Sequence, residues 1–191
     1  TTPKTEPALA SGCTVVLKPS ELTPLDACVL AEIVHEAGLP AGVFNLVLGT
    51  GRNEGEAMVA HPDVDMVSFT GSTLAGQRIA ESASRTLKKL ALELGGKSAN
   101  IMLDDVDLDQ AIATVVKQGY ANAGQACACL SRVLVPRSML REVEQRIVAE
   151  ARNWTVGDPL DESTRMAPVA SLAQRQRVPD FIESGQQQGA R

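Results

Sequence analysis

Aromatic side chains are nearly absent: the 191 residues include one Trp, one Tyr and three Phe. The core must therefore be aliphatic, and the stacking platforms on which single-stranded nucleic acids lie are excluded. Histidine is scarcer still. His35 and His61 stand at no ligand spacing from each other or from the cysteines, and Cys127 with Cys129 supplies one close pair, so no zinc or other metal site is expected. Four cysteines (Cys13, Cys28, Cys127, Cys129) are too few for a disulfide scaffold, and reduced thiols follow. No run reaches the roughly 18 consecutive apolar residues of a membrane span, and no basic start with an apolar stretch marks a signal peptide. The charge balance, 18 basic against 23 acidic residues, leaves −5 with no Lys/Arg block for a phosphate backbone. The expectation is a globular cytoplasmic chain that binds neither nucleic acid nor membrane.

Short apolar or β-branched runs alternate with helical patterns through the first half. Thr14–Lys18, Val43–Leu48, Met66–Thr70 and Lys89–Leu94 read as strands. Between the first two, Thr23-Pro24 reads as an N-cap with proline at the first helical position. Leu30, Ile33, Val34 and Ala37 then form an apolar face, stopped by Gly38 and Pro40. A weaker helix is expected over about 54–60 and a further one over about 74–84. Strands separated by helices imply βαβ crossovers and a parallel sheet covered on both faces. Gly95-Gly96-Lys97-Ser98 reads as a domain boundary, with a cofactor-type domain at 1–96 and a second at 97–191. In the second half, Asn100–Leu103 and Ser131–Val135 are strands. Asp107 caps a helix whose buried face is Leu108, Ala111, Ile112, Val115 and Val116. Ser138 is expected to cap another, with Met139, Val143, Ile147 and Ala151 on its buried stripe. Residues 155–168 read as loop, and Val169–Gln188 as mostly helical around Pro179. The chain opens Thr1-Thr2-Pro3-Lys4 without Met and closes on Gly189-Ala190-Arg191, which suggests a piece of a longer protein.

In a parallel sheet, ligands sit beyond the carboxyl ends of the strands. That rim would gather Lys18 and Glu21, Gly49 and Gly51, Gly71 and Ser72, and Glu93: a cation, carboxylates, glycines and hydroxyls, as a ribose-phosphate ligand requires. Gly71-Ser72 before a helix offers backbone N–H groups to a phosphate; the alternative is an ordinary turn with Ser72 as N-cap. Gly49-Thr50-Gly51 with Gly55 approaches a dinucleotide fingerprint but has the wrong last spacing. Lys18 and Glu21 either hold ribose hydroxyls or are solvated charges flanking a turn. A carboxylate at the ribose repels a 2′-phosphate and so favours NAD over NADP. Glu93, inside Leu90-Ala91-Leu92-Glu93-Leu94, is either a desolvated general base or a strand-end residue turned to water. Cys127, among the small residues of Asn122-Ala123-Gly124-Gln125-Ala126-Cys127-Ala128-Cys129, is either a nucleophile or an inert buried thiol. Cys129 is the weaker candidate, and Cys13 and Cys28 read as packing residues.

Together these segments resemble the NAD(P)-dependent aldehyde dehydrogenase superfamily along nearly the whole chain. The resemblance is carried by Pro7–Cys13 running into Val15–Glu21, Glu36–Asn45, Phe69–Thr73, Leu92–Ser98, Asp107-Leu108-Asp109, and Gly124-Gln125-Ala126-Cys127 followed by Arg132. It implies an α/β fold: a parallel Rossmann-like sheet with flanking helices, followed by the start of a second α/β catalytic domain. It implies Cys127 as nucleophile, Glu93 as activator of the hydrolytic water, and Lys18, Glu21, Gly49, Gly71, Ser72 and Leu94 as residues that bind NAD, with NADP as the alternative. The product would be a carboxylic acid formed from a small-molecule aldehyde, in a protein that is a homodimer or homotetramer at full length. The family's oxyanion Asn, its Glu-x-Phe-Gly-Pro segment and its oligomerisation strands are expected outside this span, so the span alone is expected to turn over poorly. Alternatives are a CoA-acylating semialdehyde dehydrogenase, which commonly lacks a Glu at the position of Glu93, and a nucleotide-binding fragment without turnover. A cysteine hydrolase needs a His beside the thiol, and neither His35 nor His61 is near the rim.

Overall fold

A computed structural model describes residues 2–190; Thr1 and Arg191, on which the expectation about the chain ends partly falls, lie outside the described residues. The chain divides after Gly95 into two compact units.

The first unit runs α1 (Thr2–Ala10), β1 (Val15–Leu17), α2 (Leu25–Glu36), β2 (Phe44–Leu46), a π-helical turn (Gly51–Gly55), α3 (Glu56–Ala60), β3 (Met66–Thr70), α4 (Thr73–Ser84) and β4 (Lys89–Glu93). The expected strand–helix alternation is present, and both ladders are parallel: β1 pairs with β2 (Val15 opposite Phe44) and β3 with β4 (Met66 opposite Lys89). They remain two separate two-stranded sheets. The expectation of a sheet covered on both faces is not met. Along β3, Val67 and Phe69 turn inward while Met66, Ser68 and Thr70 are exposed, a period-2 alternation that buries one face. Helix α2 corrects its sequence reading in the same way. Ala27 is fully buried and Leu30 and Val34 are partly covered, but Ile33 and Ala37 lie on the open side. Thr23 makes no capping bond, because Pro24 already adopts helical dihedrals (φ −87°, ψ −15°) and its carbonyl accepts from Ala27 N (3.1 Å) and Cys28 N (3.2 Å). Cys13 precedes β1 and is exposed instead of packed.

The second unit comprises β5 (Ala99–Ile101), α5 (Leu108–Tyr120), a short 3-10 turn (Ala121–Gly124), β6 (Arg132–Leu134), α6 (Leu140–Ala151) and α7 (Leu172–Gln187). β5 and β6 pair in parallel, Ala99 opposite Arg132. The helical stripes read from the sequence are the ones buried here. Ile112 and Val115 of α5 meet Val143 of α6 over Met102, with Leu108, Ala111, Met139 and Ile147 closing the edges. Asp107 caps α5 as expected, its Oδ1 accepting from Asp109 N (3.0 Å) and Gln110 N (3.2 Å). Ser138 does not cap α6: Met139 occupies the cap position and no side chain closes that turn. Across the two helices the Arg146 guanidinium bridges Glu142 (2.8 Å) and Asp109. Trp154 meets Tyr120 edge to face at 5.8 Å between centroids. Ile112 is only 5% exposed, and truncating it to Ala leaves a cavity in the middle of this cluster. A loss of about 2–4 kcal/mol is expected from urea denaturation, and a loss under about 0.5 kcal/mol, the usual surface range, would contradict this packing. Among the described residues no helix is long and apolar enough to cross a membrane.

Candidate active site

The carboxyl ends of β1 and β2 bring together three of the residues singled out from the sequence. Lys18 follows β1 directly, and its Nζ donates to Pro19 O (2.6 Å) and to Gly49 O (3.1 Å), beyond β2. The Glu21 carboxylate stands 3.7 Å from the same Nζ, the lysine side chain only 14% exposed and the glutamate 52%. The ammonium is thus held in place by two carbonyls while the carboxylate faces outward. Gly49 has φ +150°, a conformation side-chain-bearing residues rarely adopt, and an added Cβ would strike the Glu54 carboxylate. That carboxylate accepts from Thr50 N (2.6 Å), and Thr50 Oγ1 in turn accepts from Asn53 N (3.3 Å). The backbone N–H groups of Glu54 itself and of Thr50, aided by the charge of Lys18, hold the Glu54 carboxyl below the ordinary glutamate range. Its support of this turn is therefore present above that range and lost as pH falls through the lowered value. Glu54 carries no motif signal; only its distance in sequence from Gly49 hints at the contact.

The ends of β3 and β4 gather Gly71, Ser72, Glu93 and Leu94. Gly71 N donates to Glu93 O (3.1 Å), continuing the ladder one residue beyond Thr70. An added Cβ at Gly71 would meet the Phe69 ring, so the position must stay small. Leu94 packs its methyls against Gly76 of α4. Ser72 is the N-cap of α4: its Oγ accepts from Ala75 N (3.2 Å), which leaves the hydroxyl proton free to donate. Ser72→Ala is accordingly expected to cost about 1 kcal/mol of stability, and an unchanged thermal midpoint would rule the cap out as a contributor. Glu93, placed by its sequence neighbours inside an apolar run, is exposed at the end of β4. Strand alternation sends Leu92 and Leu94 to the covered side and the carboxylate to the open one.

Cys127 lies on the loop between α5 and β6, and its side chain is exposed. The chain reaches it through a left-handed turn. Asn122 (φ 51°, ψ 42°), Ala123 (φ 56°, ψ 36°) and Gly124 (φ 72°) follow one another in the left-handed region, which costs roughly 1–2 kcal/mol per residue bearing a Cβ. Such a turn persists only where its surroundings over-determine it. Gln125 ties the turn, and Arg132 ties the far end of the loop where β6 begins. Gln125 Nε2 donates to Asn122 O (3.1 Å) and its Oε1 accepts from Ala170 N (2.8 Å), while Arg132 Nε donates to Lys97 O (2.7 Å). Cys129 is buried, its Sγ 3.7 Å from Ala121 O. The partnership of Gln125 with Ala170 spans 45 residues and has no sequence signal. A cavity of about 500 Å³ beside α7, lined by Leu172, Arg175, Gln176 and Pro179, contains none of the candidate groups. No group of His, Cys, Asp or Glu among the described residues could hold a metal ion.

One unit carries an exposed thiol on a small-residue loop, and the other carries a lysine–carboxylate pair at the ends of parallel strands. Residues 1–191, the whole chain, match the aldehyde dehydrogenase family. The chain belongs to that family. Among curated aldehyde dehydrogenases, a 3-succinoylsemialdehyde-pyridine dehydrogenase from a Pseudomonas species is 50% identical over 98% of this chain and 39% of its own length. A betaine aldehyde dehydrogenase from Rhizobium leguminosarum is 46% identical over 98% of this chain and 38% of its own length. The chain thus spans about two fifths of the length of the curated relatives it matches. Among solved structures, a cysteine-to-alanine mutant of aldehyde dehydrogenase C from Pseudomonas syringae, in complex with NAD+ and octanal, superposes with a TM-score of 0.96. It is 49% identical, and the match covers 100% of this chain and 39% of that one. The α/β architecture with parallel strands and flanking helices is that of an aldehyde dehydrogenase.

Proposed function

We propose that the protein carrying this chain oxidises an aldehyde to a carboxylic acid with NAD+ as hydride acceptor. In this reading residues 1–96 belong to the cofactor-binding part and residues 97–191 to the catalytic part. The observation that carries the reading is the loop around Cys127: an exposed thiol, flanked by Ala126 and Ala128, on a loop entered through a left-handed turn that Gln125 ties to Ala170. Thiols fixed in this way add readily to carbonyl carbon once ionised.

The donor set beyond β1 and β2 fits a dinucleotide. Lys18 has three N–H donors, of which two meet Pro19 and Gly49 carbonyls, and the outward Glu21 carboxylate can accept from a ribose hydroxyl. The N-terminus of α4, with the free hydroxyl proton of Ser72, suits a pyrophosphate oxygen. Gly49 and Gly71 keep backbone open to a close approach, and Leu94 lies against Gly76 beside the same helix. A carboxylate at the ribose disfavours a 2′-phosphate, hence NAD+ over NADP+. The Pseudomonas syringae relative is bound to NAD+, which supports that choice.

The Cys127 thiolate adds to the aldehyde carbon, and the carbonyl oxygen takes a proton to give a thiohemiacetal. The Cys127 backbone N–H steadies the developing oxyanion. NAD+, held by Lys18, Glu21 and the N-terminus of α4, would accept the hydride from the attached carbon while the hydroxyl proton leaves to water, which takes that carbon to the thioester level. Glu93 then takes a proton from water, the resulting hydroxide attacks the thioester carbon, and the C–S bond breaks to release the acid and the free thiol. The exposed carboxylate of Glu93 is reachable by water, and its presence favours hydrolysis over transfer to CoA. The relatives include a 3-succinoylsemialdehyde-pyridine dehydrogenase, a betaine aldehyde dehydrogenase and a structure bound to octanal, which supports an aldehyde class without selecting a member.

The test is alkylation of the protein with iodoacetamide under turnover with a panel of aliphatic, aromatic and semialdehyde substrates. Labelling of Cys127 is expected to end NADH formation on every substrate, with NAD+ altering the labelling rate. Full turnover by protein labelled at Cys127 would refute the reading.

A further inference from the structure

We propose that Gln125 is a positioning residue for Cys127: its carboxamide locks the left-handed turn at 122–124 to the backbone of Ala170 and so sets the direction in which the thiol is presented. The inference rests on the reading of Cys127 as the nucleophile and deepens it.

Among the described residues no hydrogen bond holds Cys127 itself, so its orientation is inherited from its neighbours. On the far side, Cys129 N donates to Ala126 O (3.1 Å) and Cys129 Sγ lies 3.7 Å from Ala121 O. On the near side the constraint is Gln125. Its backbone N–H (3.0 Å) and its Nε2 (3.1 Å) both donate to Asn122 O, closing the turn from within. Its Oε1 accepts from Ala170 N at 2.8 Å, tying the turn to residues just before α7. That anchor is firm because Ser171 caps α7, its Oγ accepting from Gln174 N at 3.1 Å. Only an amide side chain of this length carries a donor and an acceptor together without charge. Glutamate keeps the acceptor for Ala170 and loses the donor; methionine keeps the volume and loses both. Two side-chain-bearing residues in the left-handed region relax toward ordinary dihedrals when released, and Cys127 moves with them.

The experiment uses the full-length protein with Gln125→Met and Gln125→Glu. In the methionine variant the Ala170 amide is expected to exchange hydrogen faster. Its iodoacetamide labelling at Cys127 should change by about threefold or more, while the exposed Cys13 labels as before. The kcat is expected to fall about tenfold or more with KM for NAD+ unchanged, since an ångström of misplacement can cost on the order of a hundredfold. The glutamate variant keeps Ala170 protected and loses less. A structural role alone would lower the thermal midpoint and leave the Cys127 labelling rate and kcat in place. Parent-like kcat and labelling in the methionine variant, or unchanged exchange at Ala170, overturns the proposal. Should the methionine variant not fold, the glutamate variant decides: Ala170 protected with intermediate kcat supports it, and Ala170 unprotected with parent-like kcat overturns it. Exchange at Ala170 and labelling at Cys127 need no turnover. If Cys127→Ala stays active, the nucleophile reading fails by a result separate from these.

Discussion

Cys127→Ala is expected to reduce aldehyde-dependent NADH formation by on the order of a thousandfold or more, the scale on which removal of a covalent nucleophile acts. The size of the effect follows from the lack of a substitute. Cys129, two residues on, is 5% exposed and its Sγ is engaged with Ala121 O. No histidine stands on the Cys127 loop to activate water in the thiol's place. NAD+ affinity should be preserved, because Lys18, Glu21 and the N-terminus of α4 are untouched, and a fluorescence titration reads this separately from turnover. Cys127→Ser tests the same point more gently: it keeps the shape, but a hydroxyl ionises far less readily than a thiol. An alanine variant that retains a tenth of the parent rate would remove Cys127 from the mechanism.

The parts of this molecule legible in the sequence are those whose signal is local and periodic. The stripes Leu108, Ala111, Ile112, Val115, Val116 and Met139, Val143, Ile147, Ala151 are built on helical spacing, and all of these but Val116 and Ala151 meet in the core of the second unit. The gathering of Lys18, Glu21 and Gly49 was legible as well, because strand ends in a parallel arrangement face one rim. Strand partnership was not, since ladders are made by backbone atoms every sequence shares. The reading of one sheet covered on both faces therefore gives way to two separate pairs. The setting of Glu93 misled for a different reason. Its apolar neighbours are adjacent in the chain, and adjacency on a strand means opposite faces, so Leu92 and Leu94 are covered while Glu93 is not. Ser138 shows the limit of cap residues as signals: a serine before a helical pattern is available as a cap without being used. The tie from Gln125 to Ala170 has no counterpart in any spacing rule. In both units the candidate residues stand out in the sequence by type, and what sequence withheld was which backbone group each one holds.

Glu93→Gln is expected to lower steady-state turnover by about a hundredfold to ten-thousandfold, the usual scale of a general base, while leaving the first turnover intact. The substitution changes no shape; it exchanges a carboxylate for an amide that cannot accept the proton of water. In the proposed mechanism, addition of the thiol and loss of hydride precede the need for that base. Mixing enzyme, NAD+ and aldehyde should therefore give a burst of NADH equal to the enzyme present, followed by a slow phase. During the slow phase the protein should carry one acyl group on Cys127, visible as a mass increase in the peptide that contains it. Hydroxylamine, a nucleophile that needs no base at neutral pH, should restore turnover and release the hydroxamate in place of the acid. The two phases separate the roles of the two residues: Cys127→Ala removes the burst, and Glu93→Gln keeps it. Parent-like steady turnover in the glutamine variant means water is activated by another group. Loss of the burst together with the steady rate means that Glu93 acts before the thioester exists, most simply by drawing the proton from the thiol.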